Sequence, residues 1–303
     1  ELVEGEGNVL VGSDETWACL HGRAWNAGSH EMRMNQFYRF QEQCDLRGIP
    51  EGWEGNGFDD TGWSPVAVIG NPRLGGDRIP ASGPWSRLIP SPLPHMTDEP
   101  VRPVAVTRLG EALDLMNRMR SEDLSVSLSQ EPRDLRACRV AQPEALLEAG
   151  GETVLEGNQP VKGEAHDGRY DPVVVLDFGR VITAYPEIEV DAPDGAKLEI
   201  GYAERLIDGT FNNVIEGAFA DSAVFREGRQ VWRPFHWKAF RFLKLRLKGH
   251  AGRPLKIRNI EAFLSTYPFQ ERGSFESSDP DLRGSWEISR HTIRLCSNEF
   301  LMD

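Results

Sequence analysis

From Val173 onward, hydrophobic and polar positions alternate with a period of two. Ile182, Ala184, Pro186, Ile188 and Val190 share one face, while Thr183, Tyr185, Glu187 and Glu189 share the other. That is the pattern of a strand with one buried side. Pro193-Asp194-Gly195 signals a turn, and Leu198, Ile200 and Tyr202 then share the next inward face. Leu243, Leu245 and Leu247 alternate with Lys244, Arg246 and Lys248, a basic run that reads as the solvated side of its strand. Ile257, Ile260, Phe263 and Leu264 close the set, giving an all-β module over about 166–270.

The pattern is different on either side. Residues 1 to about 100 hold short strand-like runs (Val9–Val11, Phe37–Phe40, Val66–Ile69) between turn-rich stretches, and they hold Trp17, Trp25, Trp53, Trp63 and Trp85. Short strands punctuated by Gly and Pro predict an antiparallel sandwich. Five prolines between Leu88 and Pro103 predict an extended strap. The stretch from Arg108 to Gly151 reads as an irregular connection. Its Gly110–Met119 and Pro143–Ala149 segments have helix-forming composition, and Val126 to Leu128 suits a strand. After Ser278 the period changes to that of a helix. Asp279 is a natural N-cap before Pro280, and Leu282, Trp286, Ser289, Ile293 and Cys296 form one stripe. The expected fold is therefore all-β: two antiparallel, jelly-roll-like sandwich modules (1–165 with its connector, and 166–270), then a linker and helix at 271–303.

Composition narrows the classes. The chain has 303 residues, 39% of them hydrophobic and 27% charged, which suits a folded globular protein. A formal charge of −13 argues against nucleic acid as a partner, because phosphate recognition needs clustered Lys and Arg. No apolar stretch is long enough for a spanning helix, and no leader sequence is visible. Cytoplasmic, periplasmic and secreted settings all remain compatible. Cys19, Cys44, Cys138 and Cys296 are widely spaced and read as free thiols, with a Cys19–Cys44 disulfide as the alternative.

Three phrases carry a resemblance. They are Leu176-Asp177-Phe178-Gly179, Tyr202-Ala203-Glu204-Arg205-Leu206-Ile207-Asp208-Gly209, and Trp232-Arg233-Pro234 followed by Ala239-Phe240-Arg241-Phe242. In this order they resemble the β-sandwich preceding the catalytic barrel of bacterial α-L-rhamnosidases, glycoside hydrolase family 78. Gly273–Pro280 resembles the join to that barrel. Gln41–Arg47 and Gly52–Trp63 resemble the family's N-terminal sandwich, which is related to rhamnose-binding modules. The resemblance implies an inverting hydrolase whose two carboxylates lie in an (α/α)₆ barrel beyond Asp303. This chain is thus expected to lack the catalytic apparatus, with that barrel and a rhamnose-containing carbohydrate as its partners. A free-standing carbohydrate-binding module and a purely structural β-protein are the alternatives.

Candidate chemistry is sparse. Glu199 and Glu204 fall on opposite faces by parity, so they make a poor hydrolytic pair. Trp53, Trp63 and Trp85 could stack on a sugar, although tryptophans more often fill small sandwich cores. Asn56, Asp59 and Asp60 supply oxygens suited to a structural Ca²⁺, the one cofactor worth considering, but without the spacing of a known loop. Glu204 continues the inward row of Leu198, Ile200 and Tyr202, and Arg241 shares the phase of Leu243. A charge in an apolar row needs a partner, so a buried Glu204–Arg241 pair is expected.

Overall fold

The computed structural model describes residues 2–3, 9–11, 15–29, 31–34, 37–67, 92–114, 124–158, 168–214, 219–249 and 252–298. The chain divides into two compact units, one formed by residues 1–23 and 48–93 and the other by 24–47 and 94–303. The first contains two small antiparallel ladders, Leu2–Val3 with Val9–Val11 and Ala18–Cys19 with Ser64–Pro65. The second contains an 11-stranded sheet and a C-terminal helix, Pro280–Leu295. Gln43–Asp45 joins that sheet, pairing in parallel with Ala220–Val224.

The sheet is organised by one strand, Tyr170–Ala192, of 23 residues. Its first half lies between Ala105–Leu113 and Lys238–Lys248. Its second half lies between Leu255–Leu264 and Gly228–Trp232. The change of neighbours follows a bulge, where register jumps from Asp177↔Phe242 to Ile182↔Phe240. Residues 178–181 thus face Arg241 alone. Such bulges bend a strand and let it pass between packed layers. Gly179 adopts φ +81° there, a left-handed conformation in which a side chain would be strained.

The expected alternation is present: Ile182, Ala184, Ile188, Val190, Leu198, Ile200, Tyr202, Leu243, Leu245 and Leu247 are all buried. The basic run is not solvated, however. Lys244, Arg246 and Lys248 are buried as well, and so is Glu199. The connector explains this. Ala105–Leu113 is a strand of the sheet, and Leu124–Leu128 is a short helix rather than a strand. That helix and the residues after it carry the hydrogen-bond partners of the charged face. Lys244 Nζ donates to the Leu128 and Gln130 carbonyls at 2.6 and 2.8 Å, and Arg246 donates to the Ser127 and Leu113 carbonyls at 2.9 Å. Pro143–Leu147 is a 3-10 helix. Of the expected strap, Glu99–Val101 pairs with the sheet, and residues 68–91 lie outside the described set.

The C-terminal helix starts as its sequence demands, with Asp279 accepting the Asp281 N–H at 2.9 Å and Pro280 at the first position. It is tied to the sheet by few contacts: His291 Nε2 to the Val181 carbonyl at 2.8 Å, and the Thr183 hydroxyl to the Leu295 carbonyl at 3.2 Å. Its apolar residues Leu282, Trp286, Ile288 and Ile293 are exposed. Among the described helices, none is long and apolar enough to cross a membrane.

Candidate functional site

The three phrases converge in space. Asp177 accepts both arms of the Arg241 guanidinium at 2.8 Å, and its Oδ1 also takes the Gly179 N–H at 2.6 Å. The Arg241 hydrogen bonds hold the Asp177 carboxyl below its ordinary range. Val104 N–H donates to the Asp177 carbonyl, so the whole bulge is pinned through one residue. In the second phrase, Asp208 and Gly209 adopt φ 50° and 79°, linking Leu206–Ile207 to Thr210–Phe211. Positive φ at both central residues is the signature of a two-residue type I′ hairpin, for which Asp-Gly is a preferred sequence. Phe240, from the third phrase, packs edge-on against Phe178 of the first at 5.3 Å and beside Tyr202 of the second at 5.4 Å.

Beneath them lies a buried polar cluster. Asp221 Oδ2 accepts the Tyr202 hydroxyl and pairs with Lys238 Nζ, both at 2.8 Å, while Oδ1 takes the Glu42 N–H at 2.7 Å. Glu42 accepts from the Trp25 indole and from the Phe235 N–H, and burial pushes its carboxyl up. On the other face, Arg246 Nε and Nη2 grip Asp171 Oδ2 at 2.9 and 2.7 Å. Glu111 accepts three successive N–H groups, those of Arg136, Ala137 and Cys138, together with the Arg133 guanidinium. The burial that would raise its pKa is outweighed by those donors, and the carboxyl stays low.

These contacts decide what the acids can do. The buried acids among the described residues are Glu111, Asp114, Asp171, Asp177, Glu199 and Asp221, and each has a cationic partner. A general acid for glycoside hydrolysis must instead be held protonated near neutrality. The network is suited to fixing strand positions.

The residues singled out from sequence are dispersed. Trp53 and Trp63 lie 6.5 Å apart with rings tilted 36°, and Phe58 packs on Trp63 at 5.7 Å. Trp53 is exposed and Trp63 half-buried, so this cluster is a surface feature. Trp85 lies outside the described residues. Asn56, Asp59 and Asp60 are exposed; Asp59 Oδ1 accepts the Thr61 N–H and hydroxyl, which accounts for its lowered pKa. Among the described residues no group of three or more His, Cys, Asp or Glu is placed to hold a metal. All four cysteines are free thiols.

The ion pair that Arg241 makes runs to Asp177, not to the Glu204 expected from parity. Strand Lys197–Ala203 ends one residue before Glu204, which is exposed, so the inward phase stops at Tyr202. Glu204 instead lines a small cleft with Ala203, Asn213, Phe219 and Ala239, about 200 Å³ of empty space counting its open mouth. The residues that sequence reasoning missed are Asp221, Lys238, Asp171, Arg246 and Asn213. A lone Asp in the run Ala220-Asp221-Ser222-Ala223-Val224 and a lysine beside Phe240 were the available signals.

The second unit is a mostly antiparallel β-domain with an ion-paired interior. Residues 169–264 match the family described as the bacterial α-L-rhamnosidase concanavalin-like domain. Among solved structures, the chain is similar to a family 78 rhamnosidase of Bacillus sp. GL1, with 18% identity and a TM-score of 0.75, over 99% of this chain and 47% of that one. It is also similar to the α-L-rhamnosidase of Dictyoglumus thermophilum, with 18% identity and a TM-score of 0.52, over 98% of this chain and 25% of that one. The chain therefore spans about half or less of these two rhamnosidase structures. No curated protein matches it.

Proposed function

We propose that this chain is the non-catalytic, accessory region of an α-L-rhamnosidase-type glycoside hydrolase, and that it seats the helical catalytic domain of that enzyme. The observation that carries this reading is the Pro280–Leu295 helix. It presents Leu282, Trp286 and Ile293 on an exposed stripe at the end of a rhamnosidase-type β-domain. A surface stripe of this kind is the face a further helical layer would cover. The fully buried acids among the described residues point the same way, since each has a cationic partner. The test is turnover of an aryl α-L-rhamnoside by the purified chain. No hydrolysis above background is expected; turnover that follows the protein through purification and disappears with its heat denaturation would defeat the proposal.

A second reading is a carbohydrate-binding module, favoured by the exposed Trp53–Trp63 pair. Indole faces stack on the C–H faces of pyranoses. Titration of Trp53→Ala and the unmodified chain with rhamnosylated oligosaccharides checks it, and equal heats would dismiss the pair.

A further inference from the structure

Among the described residues lining the cleft beside Glu204, Asn213 carries a buried acceptor without a hydrogen-bond partner. Its side chain is 2% exposed in total. Its Nδ2 donates to the Phe219 carbonyl at 3.2 Å, and the Asn213 backbone carbonyl accepts the Phe219 N–H at 3.0 Å. The Nδ2 bond fixes the amide, since turning it over would set oxygen against oxygen. That leaves Oδ1 buried with no hydrogen-bond partner. Buried polar groups in folded proteins nearly always have one, so an orphaned acceptor on a cleft wall calls for a donor from outside the chain.

The surroundings define that donor. Ala203, Phe219 and Ala239 supply apolar wall, Asn213 lies buried within the lining, and Glu204 places an exposed carboxylate there. The inner space admits about one water-sized group. A calcium ion, which takes six to eight oxygen ligands, does not suit one carboxylate and two amide side chains, of which Asn212 already accepts the Val214 N–H. An ammonium group would have to shed its water against apolar walls to reach Asn213.

The geometry points to a subsite for a single hydroxyl of a neutral sugar. The hydroxyl donates to Asn213 Oδ1, the adjoining C–H groups rest on Ala203, Phe219 and Ala239, and a neighbouring hydroxyl donates to Glu204. This goes beyond the accessory role proposed above and does not depend on it, because the sites share no residue with the Pro280–Leu295 helix or with the Trp53–Trp63 pair.

The test is saturation-transfer NMR and calorimetric titration of the full chain with L-rhamnose, D-galactose and D-glucose as probes. Saturable binding of at least one sugar is expected. Ala239→Leu, which fills the cleft, and Glu204→Gln, on an exposed side chain, should each weaken it about tenfold or more. Glu144→Gln, on an exposed side chain outside the cleft lining, should leave it unchanged. Should Ala239→Leu lose its cooperative melt, Glu204→Gln alone carries the comparison. No saturation up to about 50 mM of any probe, or equal affinity in the cleft variants, would each overturn the subsite. So would a high-resolution structure in which an ordered water occupies Asn213 Oδ1 and saturating sugar does not displace it.

Discussion

Asp221 and Lys238 meet at 2.8 Å with both side chains withdrawn from solvent, joining strand Ala220–Val224 to the start of strand Lys238–Lys248. Two ions out of water hold each other only while both are present. Either one left alone is an uncompensated buried charge.

Asp221→Asn and Lys238→Met should therefore each destabilise the chain by about 3–5 kcal/mol, and the double variant Asp221→Asn/Lys238→Met by clearly less than the sum. Urea denaturation of the four proteins gives the coupling directly. Strict additivity would mean that the pair is not the unit we describe.

Lys244 carries a second, pH-dependent signature. Burial lowers its ammonium to about 8, although two carbonyls accept its protons. An unfolded lysine titrates near 10.4. Between those values the unfolded chain holds the extra proton, so stability should rise with pH across this window, by up to about 3 kcal/mol. Unfolding midpoints at about pH 7.5, 8.5 and 9.5 should show this rise relative to Lys244→Met. Parallel profiles for the two proteins would refute it.

Asp177 acts in the opposite range. Its carboxyl is lowered by the Arg241 hydrogen bonds first and by the Gly179 N–H in addition. A depressed carboxyl stabilises the fold above its unfolded value, near 3.9, and that contribution drains away as pH falls through the folded value. The stability gap between the unmodified chain and Asp177→Asn should be constant above about pH 5 and narrow below about pH 4. Thermal melts across that range supply the check.

Thiol chemistry separates the cysteines. Burial pushes the Cys44 and Cys138 thiols up to about 12, and Cys19 is exposed. Because the thiolate is the reactive form, Cys19 should label with iodoacetamide in the native protein while Cys44 and Cys138 label only on unfolding. Peptide mapping after timed labelling distinguishes them.

The inward rows were legible because strand parity writes one face of a sheet directly into the sequence: Leu198, Ile200, Tyr202 and the three leucines from Leu243 to Leu247 are buried as read. The opposite face was misread. Alternation assigns Lys244 and Arg246 to water, and nothing local reveals that a helix 116 positions earlier returns to cap Lys244. Asp177 was visible as part of a phrase, but its partnership with Arg241 depends on a four-residue bulge that parity cannot anticipate. For the same reason Glu204 was carried one step too far, past the end of its strand. The Asn213 acceptor was invisible altogether, since an unpaired atom is a property of packing and not of residue type.

The length of the Tyr170–Ala192 strand sets a rule for how this domain can diversify. Four other strands take their register from it, so inserting or deleting one residue in Val173–Leu176 or Ile182–Val190 would turn every later side chain to the wrong layer. Residues 178–181, already out of register with Arg241, form the widest irregularity of the strand and the place where a change in length is best absorbed. Side-chain identity along this strand is therefore held by burial, and chain length has its freedom at that short window.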